Sequence, residues 1–293
     1  MAHTGDMASL DDTVARVPAL SGGPLIDIPV TFIVPLDGTD FSLRAIPVAR
    51  RFATAFAADL HACTTPQTLD PRDRSTMPAW LEAVVADTAL PRFTASVVDG
   101  DDPAHAVAEL IAATPGSAVC MATHARGPIG STALGHVARQ VLLEVTAPVL
   151  LVGRHCADAP PEHGPLLVAH DGSPAADAVL PAARAWAHGA GFPIVLVHVH
   201  HPLDVPTADH PLDAVRPALE FLGRDATARV VASSFPAGAI CDLAQDLGAS
   251  LVALGTHGYT GAASVVMGSV ATWVTRESPC PTLVVRPAKV AAS

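Results

Sequence analysis

The run GTHGYTGAASVVMGS, residues 255 to 269, has the spacing best suited to chemistry in this chain. Gly255, Gly258 and Gly268 lack a Cβ and admit a close backbone approach, and Ser269 adds a hydroxyl beside the last of them. The run has no formal charge, and Lys289 is the chain's only lysine. An anion meeting this segment would therefore be held by main-chain N–H groups, a helix dipole and the serine hydroxyl. The pattern is neither G-x-x-x-x-G-K-[ST] nor a G-x-G-x-x-G following a first strand. Asp171, in the turn Asp171-Gly172-Ser173-Pro174, is the carboxylate expected near it, and either Ser173 or Asp171, followed by Pro174, suits the start of a helix.

Other reactive side chains point to less. His198, His200 and His201, with His170 and His210, invite a metal reading, but no adjacent Cys and no helical H-x3-H completes a ligand set. They are expected to be solvated or locally hydrogen-bonded, and no metal site is assigned. His124 and His257 recur at matching places, which suits loop organisation better than acid-base work. The five cysteines are scattered without a C-x-x-C pair, which fits a reducing cytoplasm. Cys120 and Cys241 are expected in a strand and a helix as small buried apolar groups, and Trp186 and Trp273 in the core or an interface. No Ser-His-Asp or Cys-His motif is marked, so no catalytic residue is assigned.

The elements that position these residues come twice. FIVPLDGT (32 to 39) echoes LLVAHDGS (166 to 173), and DLHAC (59 to 63) sits where LVHVH (196 to 200) does. From Val97 onward the offset is a constant 133, so that Pro103 meets Pro236, Gly135 meets Gly268 and Pro148 meets Pro281. The chain thus divides into residues 1–29, a mobile leader without signal-peptide character, and two domains, 30–155 and 163–288, joined by the exposed linker CADAPPEHG. In the second half, strands are expected near 166–170, 194–199, 228–232, 250–254 and 282–286, alternating with alanine-rich helices. The fold class is α/β: two tandem doubly wound domains, each a five-stranded mainly parallel sheet with helices on both faces. The strands PVLLV and PTLVV fall at sheet edges.

Net charge is −11, which argues against nucleic acid or an anionic membrane as partner. Leu247 to Thr275 carries no Asp, Glu, Lys or Arg, but its glycines and polar residues divide it into strand, loop and helix, so no membrane span is expected.

The spacing Gly255-x2-Gly258-x9-Gly268-Ser269, with the Asp171-Gly172 turn, the His198-Val199 strand end and the Pro281-Thr-Leu-Val-Val strand, resembles the universal stress protein family. The whole chain is similar to its tandem two-domain members common in actinobacteria, with an adenine nucleotide alpha hydrolase-like fold. The resemblance implies ATP as ligand, accompanied by Mg2+. It implies that Val199 offers main-chain contacts to adenine, that Asp171 lies near the ribose, and that Gly255 and Gly258 border ribose and phosphates. Gly268 and Ser269 would hold phosphates, with Ala169, Leu254 and Val270 lining the crevice. It also implies antiparallel pairing of the two domains through their last strands, a pseudo-twofold unit open to a further homodimer, and an unknown protein partner. The first half departs from the pattern: Ala122, Ala125, Gly135 and His136 stand at the motif positions, and Ala62 aligns with Val199. Its domain is expected to bind ATP weakly or not at all. The expectation is a cytoplasmic, ATP-binding stress-response and dormancy-type regulatory protein, not an enzyme. A slow metal-dependent ATPase and a binder of another adenine nucleotide such as cyclic AMP are the alternatives.

Overall fold

Strands buried on both faces read as continuous apolar runs, and the centre of this fold is built from such runs. The computed structural model describes residues 28–66, 77–87, 92–123, 134–158, 161–203, 211–256 and 267–286. In the first half the strands are β1 (Thr31–Pro35), β2 (Asp59–Thr64), β3 (Phe93–Val97), β4 (Ser117–Ala122) and β5 (Val149–Val152). In the second they are β6 (Leu166–Ala169), β7 (Ile194–His200), β8 (Thr227–Ala232), β9 (Leu251–Gly255) and β10 (Thr282–Val285). β5 and β10 are buried at every residue.

The strands form one ten-stranded sheet in the order β3-β2-β1-β4-β5-β10-β9-β6-β7-β8. Every pair is parallel except β5 and β10, which run antiparallel with Thr282 opposite Leu151 and Val284 opposite Val149. The two strands expected at sheet edges therefore supply each other's missing hydrogen bonds, and two five-stranded sheets become one.

Parallel neighbours require crossover helices. The first half has α1 (Asp40–Leu43), α2 (Ala45–Phe56), α3 (Met77–Asp87), α4 (Pro103–Ala112) and α5 (His136–Glu144). The second has α6 (Leu180–Ala190), α7 (Arg216–Leu222), α8 (Pro236–Asp246) and α9 (Ser269–Glu277). Two apolar cores result, one on each face of the sheet, and each contains residues of both halves. At the centre of the first, Phe32, Phe52 and Phe56 of the first half surround Trp186 of the second, with centroids 5.2 to 5.7 Å from the indole. Gly189 admits this packing: a Cβ there would lie 2.9 Å from the Phe56 ring.

The linker is exposed at Asp158, Pro161 and Glu162, but Cys156 is buried within it and arginines strap it down. Arg44 reaches Asp158 Oδ1 at 3.1 Å and the Arg154 carbonyl at 3.3 Å, and also donates to the Cys156 carbonyl. Arg51 donates to the Pro161 and Glu162 carbonyls at 2.7 and 2.9 Å while lying over Phe52 and Phe192. Residues 1–27 lie outside the described residues. Among those described, no helix is long and apolar enough to cross a membrane.

All five cysteines are free. Cys63, Cys120, Cys156 and Cys280 are buried, while Cys241 is half-buried, more open than the sequence suggested, because it sits on a helix flank. Burial pushes the thiols of Cys63 and Cys280 up to about 12, and that of Cys120 higher still. An aromatic disulfide reagent at pH 8 is therefore expected to leave these three unmodified in native protein and to label them on unfolding. Peptide mass mapping of alkylated protein checks this; native labelling of Cys63 would contradict the packing described.

Candidate functional site

In an open α/β sheet, the strands nearest the reversal in order diverge at their carboxyl ends and leave a crevice. In the second half that crevice opens beyond β6, β7 and β9. Ala169 ends β6, and Asp171 follows in the turn. Val197 and Val199 come from β7, and Leu254 and Gly255 end β9. The N-terminus of α9 forms the floor through Gly268, Ser269, Val270 and Ala271, and Pro236 and Ile240 of α8 form a wall. The cleft measures about 290 Å3. Eight of the nine candidate residues read from sequence thus line one space: Ala169, Asp171, Val199, Leu254, Gly255, Gly268, Ser269 and Val270. Gly258, His257 and His124 lie outside the described residues, as does His210. His170, Val197, Thr256, Pro236 and Ile240 also line the cleft and were not singled out as contacts. The alignment of Pro103 with Pro236 was visible, but only the packing of α8 beside α9 shows that it faces the crevice.

The floor is prepared by main-chain geometry. The Gly268 N–H donates to the Thr256 carbonyl at 2.8 Å, and the Gly268 carbonyl accepts from Thr272 N–H at 2.9 Å, closing the first turn of α9. No side chain caps this end. The N–H groups of Ser269, Val270 and Ala271 have no acceptor within the helix and, with the helix dipole, favour an anion. Gly268 itself has φ −61° and ψ 162°, ordinary extended backbone, and among the described residues a Cβ there would meet only the Thr256 carbonyl at 3.6 Å. Its φ does not call for glycine at 268, and none of the described residues crowds the position.

Gly172 is different: its φ is +85°, and a Cβ would lie 3.1 Å from the Ala214 carbonyl. Its twin Gly38, at +77°, serves the same turn in the first half. Around this turn His170, almost wholly buried, accepts from Gly172 N–H at its Nδ1 (3.0 Å), so its Nε2 carries the proton and donates to Asp177 Oδ1 at 3.0 Å. His198 Nδ1–H donates to the His170 carbonyl at 3.0 Å. These histidines brace the turn. Among the described residues, no three His, Cys, Asp or Glu side chains gather in a metal-binding cluster. Asp171 Oδ1 accepts from Ser173 N–H at 2.9 Å, closing the turn, and α6 begins only at Leu180, after a 3-10 turn at Ala176–Val179. Of the two residues expected at a helix start, Ser173 reaches that turn, its Oγ accepting from Ala176 N–H at 3.3 Å.

Burial lowers the pKa of His198 from its ordinary value of 6.5. A base whose folded-state pKa lies below the unfolded one binds fewer protons when folded. Its contribution to stability is full above about 6.5 and is lost as pH falls through the folded value. His198→Asn keeps a donor for the His170 carbonyl without a titrating ring. Thermal unfolding between pH 7 and 5 is expected to show a shallower acid-side loss in this variant than in the parent; parallel curves would remove His198 as the cause.

The first half contains the corresponding cleft, lined by Pro35, Asp37, Cys63, Thr65, Met121 and Gly135 among others, but it measures only about 50 Å3. Strand register corrects the sequence alignment here. Pro35 pairs with Cys63 on β2 as Ala169 pairs with Val197 on β7. The Leu36 N–H donates to the Cys63 carbonyl as that of His170 does to Val197. Thr65 therefore stands where Val199 does, and Ala62 does not. The similarity of DLHAC to LVHVH misled: setting Ala62 at Val199 puts β2 three residues out of register, an odd slip that would turn every side chain to the opposite face, and short runs of similar letters do not report it. Pro35 in place of Ala169 adds a ring at the mouth of this smaller cleft.

Fold and site define a tandem doubly wound α/β protein with a strand-end cleft in each half, the larger in the second. The sequence model of the Universal stress protein family matches residues 31–153 and 163–286, so the chain belongs to that family. A universal stress protein of Mycobacterium tuberculosis is 27% identical over 182 residues, covering 57% of this chain and 61% of the relative's own length. One from Thermus aquaticus is 31% identical over 133 residues, 41% of this chain and 97% of the relative. Among solved structures, a universal stress protein from Archaeoglobus fulgidus superposes with TM-score 0.64 at 20% identity, covering 87% of this chain and 98% of the other. A protein of Pseudomonas aeruginosa described as functionally unknown reaches 0.66 at 18% identity, covering 88% and 93%.

Proposed function

We propose that the second domain binds an adenine nucleotide, ATP with Mg2+, and that the chain is a regulatory nucleotide-binding protein of the cytoplasm rather than an enzyme. The observation that carries this reading is the uncapped α9 N-terminus: Gly268 has room for a Cβ that none of the described residues excludes, and the space beside it is the cleft. The described lining contains no lysine or arginine, so phosphates would be held by N–H groups and Ser269, with Mg2+ offsetting the charge beside Asp171. Apolar Ala169, Val197 and Val199 suit an adenine ring. The five free cysteines favour a reducing compartment.

The contrast between about 290 and about 50 Å3 supports one site per chain. Calorimetric titration with MgATP is expected to give a stoichiometry of one, and two equal sites would overturn the asymmetry. Steady phosphate release that Asp171→Ala abolishes would replace the binding reading with an ATPase. Preferential displacement of ATP by cyclic AMP would change the ligand. Because β5 and β10 satisfy each other, a further homodimer would use another surface, such as the sheet edges at β3 and β8.

A further inference from the structure

We propose that the first domain serves the second as a fixed abutment for the phosphate-facing helix, with Gly153 as the positioning residue. This rests on the reading of the α9 N-terminus as the anion-binding end.

Gly153 directly follows β5, the last strand of the first domain, and its main chain meets the far end of α9. A Cβ on Gly153 would overlap the Thr275 carbonyl oxygen and lie 3.0 Å from that of Arg276. Nothing flexible lies in that path, since both obstacles are backbone. Ties continue beside the contact. His155 Nε2 lies 3.1 Å from Glu277 Oε2, Ala157 N–H donates to the Pro279 carbonyl at 2.9 Å, and Arg44 holds the segment from the other side. The C-terminal turn of α9 thus rests on the first domain, while its N-terminal turn, Gly268 to Ala271, forms the cleft floor. A nine-residue helix is stiff at this length, so a displacement at one end is carried to the other.

The pseudo-twofold partner of this contact is built differently. By the offset of 133, Gly153 corresponds to Arg286, and Thr275 and Arg276 to Leu142 and Leu143. Arg286 indeed donates from its guanidinium to the Leu142 carbonyl at 3.5 Å and to that of Leu143. One domain therefore receives a long adjustable side chain at its helix end, and the other a direct main-chain contact. The direct contact falls on the helix whose other end opens into the larger cleft. The half with the altered motif acquires a role that needs no ligand of its own.

The test compares Gly153→Ala with Arg286→Ala in the full chain, by MgATP titration, thermal unfolding and amide hydrogen exchange of α9. Gly153→Ala is expected to weaken ATP binding by roughly two- to thirtyfold. It should also speed exchange at Thr272 and Ser278, whose N–H groups bond within the helix and at its end. Arg286→Ala is expected to lower the melting temperature without changing ATP affinity. Equal affinity in parent and Gly153→Ala, or equal losses in both variants, would overturn the proposal. If Gly153→Ala fails to fold, Glu277→Gln, which loosens the His155 tie, carries the same comparison with a smaller expected loss. If the parent binds no adenine nucleotide, the functional reading falls by itself. The exchange data then decide: faster exchange in α9 sustains the abutment, and unchanged exchange removes it.

Discussion

Gly268→Val is expected to abolish adenine-nucleotide binding while leaving the fold nearly as stable as the parent. The usual objection to replacing a motif glycine is that the chain itself would not tolerate a side chain. Among the described residues the only neighbour of an added Cβ is the Thr256 carbonyl at 3.6 Å, and the backbone angles are open to any residue. A valine at this N-cap position would cost about 1 kcal/mol or less of helix stability. Its branched side chain would instead stand in front of the N–H groups of Ser269 and Val270. Losing two charge-assisted hydrogen bonds at about 1.5–3 kcal/mol each weakens binding by roughly 100-fold or more. Mass spectrometry of small molecules released from freshly purified parent and variant, with calorimetric titration of both, checks this. Retention of adenine nucleotide by the variant would move the phosphate site away from α9.

Trp186→Ala is expected to remove about 3–5 kcal/mol of stability, the range for truncating a large buried aromatic, and to act on both domains at once. The indole is fully buried and packs on Phe32, Phe52 and Phe56 across the domain boundary. Urea unfolding of the parent should show a single transition that shifts as a unit in the variant. Two separated transitions in the parent would show that the shared core does not couple the halves. Among the described residues the buried indole Nε1 has no hydrogen-bond partner. Trp186→Phe should therefore cost clearly less than Trp186→Ala, because it loses volume while removing an unsatisfied donor.

Much of this molecule could be read in one dimension. The five strands of the second half lie close to where the sequence places them, because alternation of apolar runs with helical segments reports which faces are covered, and local chemistry sets that pattern. The glycine spacing after the fourth strand of the second half, with Asp171 and Val199, named residues that the fold gathers into one cleft. The Asp-Gly turn was legible for a different reason: Gly38 and Gly172 both need positive φ, so the glycine persists where the phosphate motif does not.

Other features depended on distances that no spacing reports. The alignment that set Ala62 opposite Val199 followed letter similarity, and only the register of β2 on β1 showed Thr65 in that place. The linker read as exposed because of its prolines and charges, yet Arg44 and Arg51 reach its carbonyls from more than a hundred residues away. Trp186 could have been an ordinary core residue, and its position between the two domains follows from the packing of α2 against α6.

By itself, then, the sequence determined the element pattern and the duplication, because these depend on periodicity and on local backbone preferences. Only the tertiary structure decided that Trp186 sits among the phenylalanines of the other half, that Thr65 and not Ala62 stands where Val199 does, and that Gly153 of the first half meets the far end of α9. Those outcomes come from strand register and side-chain volume across long chain separations, where contacts form in space and leave no mark on the spacing.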